Sequence, residues 1–223
     1  MCYDIIIKVK CKVKVIIFYG TDCNDKTAWI PWFQQMLTNQ GIECVIPKLP
    51  TPKNQTYQTW SNITKNLDLQ EDDIVVGWST GAIFSVRYLY ENQIKVKKLV
   101  LVSGFNNYIG NVPEVDNINK DFFMQNVDMA KNIAREIVCI KSDNDPFITQ
   151  QALNDFAKKL HAKVINVANG GHFNSNAGYN EFPQLLTEII GRAELEQMED
   201  DELEKLLKEK EERKRKRNKD FEM

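Results

Sequence analysis

Ile74-Val75-Val76-Gly77-Trp78-Ser79-Thr80-Gly81-Ala82-Ile83-Phe84-Ser85-Val86-Arg87-Tyr88-Leu89 is the stretch that decides the fold. An apolar run of strand length meets a glycine-flanked serine and passes at once into a segment of helical character. The spacing therefore predicts strand, sharp turn and helix in succession. Residues Gly77 to Gly81 match G-x-S-x-G, and between a strand and a helix that pentapeptide reads as a nucleophile elbow. A serine at such a turn is held in a strained backbone conformation, and small neighbours let the strand and helix backbones approach without a clash at Cβ. Its hydroxyl then stands beside the free N–H groups that open a helix, where a developing oxyanion is stabilised. The same residues also fit a simpler role, with Ser79 as an N-cap between a buried strand and a helix.

Outward from this unit, short apolar runs recur at Val13 to Tyr19, Glu43 to Ile46, Lys98 to Val102, Ile137 to Lys141 and Lys163 to Val167. With Ile74 to Val76 they predict a mainly parallel six-stranded sheet. Helices are predicted over Lys26 to Gln40, Thr56 to Leu67, Thr80 to Glu91, Asn119 to Ala134, Thr149 to Leu160, and from Phe182 into the tail. Several strands are continuously apolar because a parallel sheet is covered on both faces. Right-handed crossovers then give a three-layer α/β/α sandwich. The segment Asp4 to Val15 alternates lysine with apolar residues and either extends the first strand or adds an edge strand. That alternation also interrupts any signal-peptide core, and no small-residue cleavage site follows it.

With 223 residues the chain has room for one domain, expected over 1–192, and an appendage over 193–223. A net charge of -2 argues against a polyanion-binding surface, so no nucleic-acid partner is expected. No segment is long and apolar enough to predict a membrane span. Cys2, Cys11, Cys23, Cys44 and Cys139 are odd in number and lack C-x-x-C spacing. Neither a disulfide framework nor a zinc site is predicted, and a reducing cytoplasm fits that usage. The appendage turns from acidic (Glu194 to Glu202) to basic (Arg213 to Lys219), with i,i+4 pairs such as Glu204 with Lys208. This ordering suits the helix dipole and predicts a solvated charged helix, with a docking arm for a protein partner, a nuclear-import signal or a nucleic-acid anchor as the sharper readings.

A serine hydroxyl becomes a nucleophile at neutral pH only with a base in reach and a group that orients that base. Of the two histidines, His161 closes a helical stretch, whereas His172 follows Asn169-Gly170-Gly171 in the loop after the last strand. Loops at the carboxyl ends of parallel strands face the ligand crevice, so His172 is the candidate base. The orienting acid is expected from Lys141-Ser142-Asp143-Asn144-Asp145-Pro146-Phe147. Pro146 restrains the backbone at Asp145, which favours Asp145, with Asp143 in reserve. Both also fit ordinary turn and cap chemistry. The order Ser79, Asp145, His172 is that of the Ser…Asp…His hydrolases. Two backbone N–H groups should complete an oxyanion hole: Thr80 after the nucleophile, and Thr21 in the Gly20-Thr21-Asp22-Cys23 loop after the first strand. Trp29, Trp32, Phe105, Phe147 and Phe173 fall near loop ends, where they could line an acyl pocket or fill the core. Cys23 and Cys139 have neither the motif nor the neighbouring base of an activated thiolate.

These residues resemble the small α/β-hydrolases related to retinoblastoma-binding protein nine and their bacterial relatives. The likeness spans Val13 to Ile190. It rests on Trp29-Ile30-Pro31-Trp32-Phe33, Leu49-Pro50-Thr51-Pro52 with Trp60, the elbow, Leu101-Val102-Ser103-Gly104-Phe105, Asp143 to Phe147, Gly170-Gly171-His172-Phe173 and Phe182-Pro183. It implies a minimal α/β-hydrolase fold with little or no cap, a Ser79, Asp145, His172 triad, no metal or organic cofactor, and esterase-like or amidase-like action on a small substrate. Family members usually carry histidine before the nucleophile, where this chain has Trp78, and open the first loop with His-Gly or Pro-Gly, where it has Tyr19-Gly20. The retinoblastoma-pocket motif L-x-C-x-E does not occur, so that partner is not carried over. The expectation is a serine hydrolase that cleaves a small ester or amide through an acyl-enzyme on Ser79. The alternative is a non-catalytic binding or scaffold protein that uses the charged tail.

Overall fold

The computed structural model describes residues 13–108 and 113–191. The N-terminal strand extension up to residue 12, the domain boundary at 192 and the 193–223 appendage lie outside the described residues. The chain divides into two compact units, Met1–Glu181 and Phe182–Met223. In the second, the described residues form one helix, α6 (Pro183–Ile190), which begins at the proline and stops at Gly191, where φ is 92°.

The first unit holds β1 (Lys14–Phe18), β2 (Glu43–Val45), β3 (Ile74–Trp78), β4 (Val96–Val102), β5 (Ala134–Ser142) and β6 (Lys163–Val167). They form one sheet in the order β2-β1-β3-β4-β5-β6, and every pairing is parallel. The register aligns Ile17, Val76, Val100 and Val138 in a row across the four central strands, and none of the four is exposed. This is why those runs read as continuously apolar.

Four helices accompany these strands: α1 (Ile30–Asn39), α2 (Tyr57–Thr64), α3 (Thr80–Glu91) and α5 (Gln150–Lys159). A fifth, α4 (Pro113–Asn119), lies between β4 and β5. The chain steps outward from β1 to β2 and then reverses to add β3 through β6 on the other side of β1. With right-handed crossovers, α1 covers one face and α2, α3 and α5 cover the other. The switch point falls between β1 and β3, and the crevice for a ligand opens there, beyond the carboxyl ends of the strands. Helix α3, entered from the elbow, is buried continuously from Thr80 to Val86. Phe84 on that helix makes edge contacts with Phe18 at 5.0 Å and Trp60 at 5.2 Å, and Trp60 in turn meets Phe122 at 4.9 Å.

Two expectations need correction. The helix predicted from Lys26 begins only at Ile30, because Ala28 sits at a φ of 51°, outside helical geometry. The single helix predicted over Asn119 to Ala134 does not form. Instead α4 ends at Asn119, and short 3-10 turns occupy Lys120–Phe122 and Val127–Asn132. Met124 supplies the reason: its N–H donates to Asn106 Oδ1 and its carbonyl accepts from Asn106 Nδ2, each at 2.8 Å. Backbone groups bonded to a distant side chain are withdrawn from a helical ladder, and tertiary contact overrides local propensity.

Candidate active site

At the elbow, Ser79 has φ 56° and ψ -120°, and its side chain makes no capping hydrogen bond. The hydroxyl is therefore not occupied as an N-cap. This strained conformation is held from both sides: the Ser79 N–H donates to Val102 O at 2.9 Å, and Ser79 O accepts from Ala82 N at 2.9 Å. The flanking glycines are required by contact. A Cβ at Gly77 would lie 2.6 Å from Ala82 Cα, and one at Gly81 would lie 1.9 Å from Phe18 O.

Asp145 and His172 are joined. Asp145 Oδ2 lies 2.8 Å from His172 Nδ1, and the Asp145 side chain is fully buried. The same oxygen accepts the Ser103 hydroxyl at 2.8 Å, while Oδ1 accepts the amides of Phe147 and Ile148, each at 3.0 Å. Burial pushes this carboxyl up. The hydrogen bond and charge of His172, with the Ile148 and Phe147 amides, outweigh that and hold it below the usual carboxylate range.

Asp143 has a different task from Asp145. Its Oδ1 accepts the Asn169 N–H at 2.8 Å, and the neighbouring Asn144 Oδ1 accepts the Gly171 N–H at 2.7 Å. These two side chains fix the loop that delivers His172. From the opposite side, Trp78 Nε1 donates to His172 O at 3.0 Å, and the Phe147 ring meets the imidazole edge-on at 5.1 Å. Trp78 is thus a packing and tethering residue, and it also lines the cavity. His161 stands exposed after α5 and is not among the lining residues.

Ser79 and His172 line one cavity of about 420 Å³. Ser79 is partly buried, and among the described residues its hydroxyl makes no hydrogen bond to His172. Catalytic hydrogen bonds are often loose without substrate and tighten on binding. The lining is mixed: Trp78, Phe105, Val115, Phe147 and Ile148 are apolar, and Thr21, Asp22, Thr27, Asn174 and Asn176 are polar. Phe105 and Phe147 from the aromatic set face the cavity, whereas Trp29 and Phe173 are fully buried in the core.

Gly20 brings the first loop against the nucleophile, since a Cβ there would lie 2.7 Å from Ser79 Cβ. Thr21 Oγ1 meets Thr80 Oγ1 at 2.9 Å, so the two residues expected to hold an oxyanion are in contact. The Thr80 N–H, in the first position of α3, has no acceptor within the helix. Cys23 also lines the cavity, but burial, aided by the Asp22 charge, pushes its thiol up to about 11, and burial pushes Cys139 up to about 12. Neither is a thiolate at neutral pH. Among the described residues no three His, Cys, Asp or Glu side chains are grouped to hold a metal ion.

Sequence reasoning missed Ser103, Asn119 and Gln55 around the site, and Val115, Ile148, Asn174 and Asn176 in its walls. Only Ser103 carried a signal, inside Leu101 to Phe105, and its partner lies 42 residues away.

The all-parallel sheet, the elbow at its switch point and the loop-borne acid and histidine define an α/β-hydrolase. Solved structures share the fold. The ydeN gene product of Bacillus subtilis superposes with a TM-score of 0.72 at 22% identity, over 79% of this chain and 96% of that one. Est1E of Butyrivibrio proteoclasticus gives 0.56 at 18%, over 83% of this chain and 88% of that one. By sequence, the chain is 26% identical to the serine hydrolase RBBP9 of Rattus norvegicus over 183 residues, covering 79% of this chain and 95% of the relative. The chain belongs to the Serine hydrolase family, whose family model matches residues 15–189. It is a hydrolase enzyme.

Proposed function

We propose that the protein cleaves a small ester or amide through an acyl-enzyme on Ser79. The observation that carries this reading is the 2.8 Å pairing of a buried Asp145 with His172 at a cavity that Ser79 also lines. With Nδ1–H donated to Asp145, His172 Nε2 is left as an unprotonated base. It takes the Ser79 proton as Oγ attacks the acyl carbon, and the carbonyl electron pair moves onto oxygen. The Thr80 and Thr21 amides hold that oxyanion. Collapse expels the alcohol or amine, which receives the proton from His172, while Asp145 stabilises the transient imidazolium. Water, deprotonated by the same nitrogen, then attacks the acyl-serine and releases the acid.

The apolar lining residues suit a compact acyl group, and the polar ones suit a hydrated leaving group. Free thiols at Cys23, Cys44 and Cys139 support a reducing compartment such as the cytoplasm. A fluorescent fluorophosphonate tests the mechanism. Wild type should label, Ser79→Ala should lose labelling and at least about a thousand-fold of p-nitrophenyl ester hydrolysis, and truncation after Arg192 should keep both. A folded wild type that does not label overturns the reading and leaves a binding role on this fold.

A further inference from the structure

Three side chains that the mechanism does not use converge behind the two oxyanion amides. Asn119 Oδ1 accepts from Thr80 Oγ1 at 2.8 Å, from Gln55 Nε2 at 2.8 Å and from Thr21 Oγ1 at 3.0 Å. Gln55 Nε2 also donates to Thr21 Oγ1 at 2.8 Å. On its other side, Gln55 Oε1 accepts the Thr51 hydroxyl, and Thr51 Oγ1 accepts the Asp22 N–H at 2.7 Å. The hub is dry: Asn119 is 1% exposed, Gln55 6% and Thr80 0%. Asn119 Nδ2 is buried with no hydrogen-bond partner among the described residues. A buried, unpaired amide hydrogen is unfavourable, so a packing role alone would be served better by an apolar residue.

The proton count shows what the arrangement does. Thr21 and Thr80 bring one hydroxyl proton each to a triangle of three contacts with Asn119 Oδ1, so two edges of it are hydrogen bonds at any moment. Gln55 supplies the amide protons that complete the set. Each of the two threonines is thereby fixed in position relative to the other, although one comes from the loop after β1 and the other from the start of α3 after β3. A tetrahedral oxyanion needs both backbone N–H groups at about 2.7–3.1 Å at once. Neither loop sets that spacing alone.

We infer that Asn119, with Gln55 and Thr51, is a positioning cluster that clamps the Thr21 loop to the start of α3 and sets the spacing of the oxyanion hole. The inference rests on the acyl-enzyme reading above. A clamp of this kind acts where charge develops on the substrate oxygen, and it leaves ground-state binding in the cavity largely alone.

The test compares Asn119→Ala and Thr80→Val, which keeps the backbone N–H and removes only the hydroxyl, with Thr80→Ser, which restores it. For p-nitrophenyl acetate, the first two should lose about ten- to a hundred-fold in kcat with KM within about two-fold. Affinity for an alkyl trifluoromethyl ketone, which forms an oxyanion on Ser79, should fall in proportion. Thr80→Ser should recover most of the kcat lost in Thr80→Val. If wild type labels and turns over while both variants keep its kcat, or lose kcat without losing ketone affinity, or if Thr80→Ser is as impaired as Thr80→Val, the clamp is overturned and the hydrolase mechanism stands. A wild type that neither labels nor turns over overturns the mechanism, and the clamp with it.

Discussion

Ser103 shows how a residue outside the expected triad shapes it. It is fully buried, sits at a φ of 45°, and points its hydroxyl at the Asp145 oxygen that also pairs with His172. A donor at that oxygen spreads the negative charge otherwise directed at the imidazole. Ser103→Ala leaves the carboxylate more basic and the imidazolium better stabilised. The acidic limb of the kcat/KM profile should therefore move to higher pH, by up to about one unit, the scale of a hydrogen bond to a charged group. A stability loss with an unmoved pH profile assigns Ser103 to packing instead. At this scale the sequence was readable where chemistry restricts residue type. It singled out one serine by its turn and one histidine of two by its loop. It favoured Asp145 and held Asp143 in reserve, but could not assign Asp143 its own task, because that depends on which backbone amides the folded loops present.

Among the elements, β3 and α3 were visible as a unit because burial on both faces and the elbow glycines leave a pattern in one continuous stretch. The close approach at Gly81 makes that unit intolerant. In Gly81→Ala the added methyl meets the Phe18 carbonyl, a backbone atom that cannot turn aside. The substitution should cost about 3 kcal/mol or more, read as a lowered urea midpoint with an unchanged slope. A midpoint equal to wild type means that the strand and helix separate freely. The residues from Asn119 to Ala134 failed as a reading for the opposite reason. Their apolar spacing is compatible with a helix, but Asn106 captures the Met124 backbone, Asp121 Oδ2 accepts the Tyr57 N–H, and Asn119 is spent on the threonine cluster. Side-chain bonds to partners so distant leave no local period to detect.

Across the molecule, one carboxylate ties together the loops that follow β4, β5 and β6, through Ser103, through the Phe147 and Ile148 amides, and through His172. Because Asp145 is held below its ordinary value, the folded protein binds fewer protons there than the unfolded chain does. That contribution to stability is complete above about pH 4 and vanishes as pH falls through the folded value. Wild type should therefore exceed Asp145→Asn in urea midpoint at pH 7, and the gap should narrow progressively as pH falls below about 4. A gap that does not narrow as pH falls below about 4 shows that the difference is not ionic.

The fit of Gly20 against Ser79 also bears on how this protein can change. One side of the crevice is locked to the reacting centre by backbone contact and a shared polar hub, so neither loop there can drift by itself. Elsewhere in the lining, Phe105 packs with Ile148 and Leu153, and Phe147 stands partly exposed with the His172 ring against it, contacts of shape and not of shared protons. New preferences for what is cleaved should arise by resculpting that aromatic face, with the half that handles charge inherited intact.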